Sequence, residues 1–496
     1  MSDAIALSQA NLADIAATVA VPGYDRSAVT VGIMHVGVGG FHRAHQAMYT
    51  DAVLAQGITD WGICGVGVLP ADASMRDALQ SQDYLYTLVT KAPDGSVNAR
   101  VIGSIVDYLY APDDPAGVIE AMADPAVRIV SLTVTEGGYS LNQVTGEFDP
   151  SPAAIQADLA SGSAAPTTAF GLITAALRRR RDSGIPAFTV MSCDNLQGNG
   201  QLAAKAFTSF ASLIDADLGD WVAANVSFPN CMVDRITPVT TDEDKAMVAK
   251  EFGIVDAWPV VCEPFTQWAL EDEFPDGRPA WETVGAQLVP DVTPYELMKL
   301  RLLNSSHQGI AYFGYLAGYR LVHDAAQDPT MARFLLAYME NEATPTLAPV
   351  PGVDLDAYRH KLIERFSNAG VKDTVARLAA ESSDRIPKWL VPVVRDNLAA
   401  GRDVTLSAAI CASWARYAEG TDEDGEPIQI VDRLADERKA AAARQAQEPL
   451  AFLENRDLFG DLIDDERFTR PYLATLESLH VRGAMATVAD LVAATV

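Results

Sequence analysis

The chain has 496 residues, of which 49% are hydrophobic and 21% charged, the balance of a globular protein rather than a disordered one. At roughly 100–200 residues per domain this length holds about two to four domains. Its 37 Lys and Arg against 66 Asp and Glu give a formal net charge of −29, a field that repels phosphate backbones and anionic lipid, so neither nucleic acid nor membrane is an expected partner.

The chain opens on MSDAIALSQANLADIAA, which has neither a basic leader nor a long apolar core. No signal peptide is expected, and no stretch is apolar for long enough to cross a bilayer, so the expected location is the cytoplasm. Strand-like runs then follow at 31–36, 61–68, 84–89, 127–134 and 187–193, rich in Val and Ile and bounded by Gly, Pro or Asp. Continuous apolar runs of this kind read as buried parallel strands. Helix-like runs lie between them at 41–56, 73–81, 115–123 and 166–182, so the first part of the chain is expected to be an α/β Rossmann-type domain. The run Arg178 to Arg181 reads as a solvated helix end beside its negative dipole, with phosphate binding as the alternative. The segment 221–290 is mixed and completes this domain, giving boundaries of 1–290 and 291–496. Beyond 290 long amphipathic runs dominate (293–318, 329–341, 354–367, 371–380, 390–400, 403–418, 432–445 and 471–495), which predicts a mostly α-helical second domain. The cysteines Cys64, Cys193, Cys231, Cys262 and Cys411 are odd in number and scattered. They predict buried thiols rather than a disulfide framework or a zinc ribbon.

The first run, VGIMHV, leads directly into Gly37-Val38-Gly39-Gly40-Phe41-His42. Strand, glycine turn and helix form the context in which such a motif cradles a pyrophosphate: Gly37 makes the turn, Gly39 admits the ligand, and the helix start offers free N–H groups. The third glycine of the usual G-x-G-x-x-G pattern is replaced by His42. After the second run comes Asp72, placed to accept both hydroxyls of an adenosine ribose and to repel a 2′-phosphate, which favours NAD over NADP. The alternative reading of Asp72 is a cap for the helix over 73–81, and Arg76 keeps NADP open.

The densest chemistry lies in Tyr295-Glu296-Leu297-Met298-Lys299-Leu300-Arg301-Leu302-Leu303-Asn304-Ser305-Ser306-His307. At about 100° per residue, Glu296, Lys299, Asn304 and His307 share a helix sector of roughly 140°. A lysine whose pKa is lowered can accept the proton of an alcohol as hydride leaves, and amides can steady the developing negative oxygen. The structural alternative is a solvated polar face, against which Leu300, Leu302 and Leu303 argue. His42 and His45 are spaced like metal ligands, but a third ligand is not evident, so no metal is expected. Glu136 could touch a cofactor or be structural. Glu296 could pass protons onward or cap the helix.

GVGGFHRAH, TVTEGGYS, MSCDN, VDRITP, WPVVCEPF and YELMKLRLLNSSH, in this order and over essentially the whole chain, resemble the mannitol dehydrogenase family of polyol-specific long-chain dehydrogenases, closest to its mannitol-oxidising members. The resemblance implies NAD-dependent oxidation of a sugar alcohol such as mannitol to fructose, and the reverse ketose reduction. It implies that Lys299 is the base, that Asn195 and Asn304 are the amides around the reacting oxygen, and that His307 orients substrate. Asp234 and Arg377 correspond to substrate-site positions. Where those mannitol-oxidising members carry a lysine, this chain has Arg385, which keeps the charge but not the shape. The family also includes hexuronate reductases, and Arg385 could meet the carboxylate such a substrate carries. A non-catalytic NAD-binding regulator is a third reading, but it would need no base. The expected partners are a small polyol or ketose, with the chain acting as a monomer.

Overall fold

The computed structural model describes residues 4–141, 146–161 and 165–495. They form two compact units. The first runs to Thr293, apart from the turn at 93–95, and the second begins at Pro294.

The first unit is built on five parallel strands: β1 (Val31–Val36), β2 (Gly62–Gly67), β3 (Ile105–Tyr110), β4 (Ile129–Leu132) and β5 (Thr189–Ser192), in the order β3-β2-β1-β4-β5. Both faces are covered, which is why the strands read as unbroken apolar runs. Ile33, Ile63 and Ile129 face one core together with Tyr49 and Leu54. Met34, Val36, Val66, Val130 and Val190 face the other, with Phe170 and Leu177. The glycine turn opens α1 (Gly40–Ala44), and α2 (Gln46–Leu54) follows; the helix expected over 41–56 is broken at His45, whose backbone leaves the helical region. α3 (Ala73–Gln80) follows β2, and α4 (Ala169–Ser183) precedes β5. Within α4, Arg180 is buried and donates to the carbonyls of Pro186, Asp124 and Val127, so this member of the arginine run ties loops together.

The run at 84–89 forms a strand, Tyr86–Lys91, but it joins a separate sheet between Val260–Cys262 and Val97–Ile102. Its place in the main sheet is taken by β3, an edge strand with only two fully buried positions, whose interrupted pattern the hydropathy reading passed over. All five cysteines are free and buried.

The second unit is helical. Its first stretch, expected as one helix over 293–318, is a chain of four segments: α5 (Thr293–Met298), a π-helical turn at Lys299–Asn304, α6 (Ser305–Gly309) and a second π turn at Ile310–Gly314. It is followed by α7 (Pro329–Tyr338), whose start is capped by Asp328, and by a third π turn at Met339–Ala343. Later, α8 (Thr405–Tyr417) is buried along nearly its whole length and packs on α9 (Glu466–Arg482). The run expected over 471–495 is divided at Gly483, and a helix over Ser382–Trp389 that carries Arg385 was not anticipated because Pro387 lies inside it.

Candidate active site

The glycine turn is shaped from below. Gly37 has φ +91°, and a Cβ there would meet the Thr133 carbonyl oxygen at 2.3 Å, so only glycine fits. Gly39 is different: the nearest atom to its missing Cβ is 3.9 Å away, so the fold itself does not require this glycine. Open space at Gly39 is what the close approach of a ligand needs. The Val38 side chain is buried in the core and Phe41 stacks on His45 at 4.9 Å, so what these two residues and Gly40 can offer a ligand is backbone N–H.

His42 is buried, and its ring stacks on that of His35 with centroids 3.4 Å apart. The helix packs onto β1 through this pair where a third glycine would otherwise bring backbone against strand. Burial drives both imidazoles toward the neutral form, His35 down to about 3 and His42 well below its ordinary value, with the His35 ring adding to the cost of charge at His42. His35 lies 2.8 Å from Ser131 Oγ and 2.9 Å from Thr133 Oγ1, and the Thr133 hydroxyl donates to the Gly37 carbonyl at 2.6 Å. A neutral ring has one N–H, so His35 Nε2 donates to Thr133 and Nδ1 accepts from Ser131. Ser131 Oγ also lies 2.9 Å from the Gln46 amide oxygen. One directional hydrogen-bond chain thus fixes the Gly37 carbonyl. Among the described residues no group of three or more His, Cys, Asp or Glu is arranged to hold a metal ion.

Asp72 stands at the start of α3 but does not cap it. Its Oδ2 accepts the Val68 and Leu69 N–H groups, both at 2.8 Å, which fixes the carboxylate beside the end of β2 and leaves Oδ1 for a ligand. Arg76, the residue that keeps NADP open, lies over the Tyr110 ring and pairs with Asp77 and Asp113, each at 2.8 Å. These observations fit a dinucleotide with a free ribose.

Asn195 is exposed on the loop after β5, and its neighbour Asp194 anchors that loop. The Asp194 carboxylate accepts from the N–H groups of Val134 (3.1 Å) and Thr135 (2.9 Å) and from the Tyr139 hydroxyl (2.7 Å). The TVTEGGYS and MSCDN motifs therefore clasp each other at the ends of adjacent strands. Glu136 begins a short 3-10 turn, Glu136–Tyr139, and its side chain lies outside the described residues. Asp234 is buried at the end of the strand Cys231–Asp234, opposite Gln267. The next residue, Arg235, donates to the carbonyls of Glu263 (3.0 Å) and Ala44 (2.6 Å), and Glu263 in turn accepts the Ile236 N–H at 2.6 Å. VDRITP, WPVVCEPF and α1 are locked together by these bonds.

In the second unit Glu296, Lys299, Asn304 and His307 are 6%, 7%, 7% and 8% exposed, which excludes a solvated polar face. In a regular α-helix five residues at about 100° would leave Lys299 and Asn304 roughly 140° apart, at opposite edges of their sector. The π turn lies between these two residues. Its widened spiral is marked by the Ser305 N–H bonding to the Leu300 carbonyl, a step of five, and it brings the fifth residue toward the place the fourth holds in an α-helix. The amide oxygen of Asn304 is buried without a hydrogen-bond partner. A group left unmatched at such cost marks a place for a polar ligand. His307 packs on Phe366 at 4.5 Å.

Arg377 is exposed, and its guanidinium grips Asp373 with two bonds, one of them 2.5 Å long. Arg385 is half-buried, donates to the carbonyls of Arg377 (3.2 Å) and Leu378 (3.1 Å), and lies over Trp389 at 5.5 Å. Both sit in one small neighbourhood. The supporting residues His35, Thr133 and Asp194 went unremarked in the sequence because single polar residues inside apolar runs carry no periodic signal.

A parallel sheet in this order, with a ligand-ready glycine turn after β1 and a fixed carboxylate after β2, defines the Rossmann class of dinucleotide-binding proteins. The profile of the mannitol dehydrogenase Rossmann domain matches residues 31–283, and that of the mannitol dehydrogenase C-terminal domain matches residues 291–480. The chain belongs to the mannitol dehydrogenase family. It is 46% identical to a mannitol 2-dehydrogenase of Phaeosphaeria nodorum over 98% of this chain and 85% of that protein. It is 44% identical to a mannitol 2-dehydrogenase of Aspergillus fumigatus over 97% and 98%. Its structure is similar to that of Pseudomonas fluorescens mannitol 2-dehydrogenase in ternary complex with NAD and D-mannitol (TM-score 0.90, 46% identity, 99% of this chain and 100% of that one). It is also similar to a substrate-free D-sorbitol dehydrogenase (TM-score 0.90, 38% identity, 97% and 100%).

Proposed function

We propose that this protein oxidises D-mannitol to D-fructose with NAD+ and catalyses the reverse reduction. The observation that carries the reading is the π turn that holds Lys299 and Asn304 together in a buried stretch. NAD+, when bound, supplies the hydride acceptor. Gly37, Val38, Gly39, Gly40 and Phe41 hold its pyrophosphate through backbone, and Asp72 holds its adenosine ribose. Lys299 takes the proton of the reacting hydroxyl. The Asn195 and Asn304 amides donate to the oxygen on which negative charge gathers. His307 and Asp234 bind neighbouring hydroxyls, and Arg377 and Arg385 bind the far end of the polyol. The relatives with which the chain shares 44–46% identity are named for mannitol, which supports that polyol over sorbitol. The protein works in the cytoplasm as a monomer. Among the described residues no helix is long and apolar enough to cross a membrane.

A panel of mannitol, arabinitol and sorbitol with NAD+, and of fructose and fructuronate with NADH, tests the reading. Mannitol and fructose should give the highest kcat/KM. A clear preference for fructuronate, abolished in Arg385→Ala, would replace it with hexuronate reduction.

A further inference from the structure

The π turn at Lys299–Asn304 has a consequence for residues outside the polar face. Within the widened spiral the carbonyls are met by side chains. The Ser305 hydroxyl donates to the Leu300 carbonyl at 3.1 Å, the same oxygen that takes the Ser305 N–H. The Tyr338 hydroxyl donates to the Arg301 carbonyl at 3.2 Å. Tyr338 and Ser305 are both fully buried, so the two bonds are made away from water.

Tyr338 is itself held from behind. It is the last residue of α7, and the π turn Met339–Ala343 follows it. In that turn the buried carboxylate of Glu342 accepts the N–H groups of Leu406 (2.6 Å) and Ser407 (2.8 Å) and so caps the start of α8. The Arg301 side chain completes the frame by donating to the Thr346 carbonyl (2.9 Å) and to Asp396 (2.7 Å). The turn that carries Lys299 and Asn304 is thus braced at one carbonyl by Ser305 and at the next by Tyr338.

We infer that Tyr338, together with Ser305, is a positioning residue: by holding the carbonyls of the π turn it sets the angle between Lys299 and Asn304. The reason is geometric. A regular α-helical turn over these six residues would swing the amide away from the amine by much of the roughly 140° that separates residues five apart. The turn persists only while something satisfies the backbone groups it leaves out of step. Without the phenol oxygen the Arg301 carbonyl loses its side-chain donor in a dry interior, and the α-helical register becomes the better alternative.

The inference rests on Lys299 being the base, and the test separates the two. Tyr338→Phe, Ser305→Ala and Lys299→Ala are made in the full chain. Each is measured for kcat and KM with D-mannitol, for the pH profile of kcat/KM, for NADH affinity by fluorescence titration, and for melting temperature. Small misplacements of catalytic groups can cost about 100-fold. Tyr338→Phe should therefore lower kcat by about 10- to 100-fold and move the midpoint of the pH profile, with NADH affinity within about twofold of wild type. Ser305→Ala should do the same to a smaller degree, and it carries the test if Tyr338→Phe does not fold. Wild-type kcat and an unmoved pH midpoint in a folded variant would overturn the inference. So would a lowered melting temperature accompanied by an unmoved midpoint, because that is the mark of a merely structural bond. If Lys299→Ala is inactive while Tyr338→Phe behaves as wild type, the positioning role alone fails. If Lys299→Ala retains more than about a tenth of turnover, the base assignment fails and the inference with it.

Discussion

At the scale of single residues, we propose that the fixed carboxylate of Asp72 discriminates between NAD+ and NADP+. Its Oδ2 is committed to two backbone N–H groups, so the side chain cannot turn aside to admit a phosphate. Asp72→Ala should weaken NAD+ binding and raise the NADP+ to NAD+ ratio of kcat/KM, about tenfold or more, given the cost of a close like charge. Initial rates with both cofactors check this, and a wild type more efficient with NADP+ would refute the assignment. The buried amide of Asn304, whose nitrogen is the proposed donor to the reacting oxygen, leads to a second expectation. Asn304→Ala should lose about 100- to 1,000-fold in kcat, the range seen when one donor to a developing oxyanion is removed, while the change in KM stays small. A variant that changes only KM would show the amide to be a ground-state contact.

At the scale of elements, the stacked pair His35 and His42 couples the cofactor loop to pH. Both side chains are folded in the neutral state, with His35 at about 3 and His42 well below 6.5 because burial opposes their charge. A histidine with a depressed folded pKa binds its proton more readily when unfolded. Its contribution to stability is therefore complete above the unfolded value of about 6.5 and is lost as pH falls toward the folded value. The His42 ring has no hydrogen bond to lose, so His42→Phe keeps an aromatic partner for His35 and removes one titration. Its melting temperature should fall less steeply than that of wild type between pH 6.5 and about 4. Parallel acid sensitivity in the two proteins would contradict the account. Glu342 acts in the opposite sense: burial pushes its carboxyl up to about 7, so stability from this group declines as pH rises from the ordinary carboxylate value through about 7. The elements themselves were mostly legible from the sequence. Continuous Val and Ile runs marked four of the five strands of the main sheet, because strands covered on both faces need no polar positions. The edge strand β3 and the π turns were not legible. The first alternates only weakly, and the second depends on carbonyl partners such as Tyr338 that are distant in sequence.

At the scale of the whole molecule, the charge of −29 and the two-unit division set what can be expected in solution. Mutual repulsion of that many acidic groups opposes compaction and is screened by salt, so melting temperature at pH 7 should rise between about 0.01 and 0.5 M NaCl. A flat or falling trend would mean that local ion pairs, which salt weakens, outweigh the overall field. The proposed catalytic groups Lys299, Asn304 and His307 stand out together in the sequence because they lie within a single stretch of nine residues. The roles proposed for Asn195, Asp234, Arg377 and Arg385 rest on family resemblance, since no periodicity links residues so far apart. The central claim is that an NAD-dependent polyol oxidation runs on the Lys299 amine, and one measurement addresses it most directly: the growth of NADH absorbance at 340 nm with D-mannitol and NAD+, followed across pH for wild type and Lys299→Ala. Wild type should form fructose at a rate that climbs to a plateau as its base loses a proton, and the variant should run about 100- to 10,000-fold slower while still binding NADH. A wild type that forms no NADH from mannitol, or a variant with the same rate and the same pH profile, would contradict it.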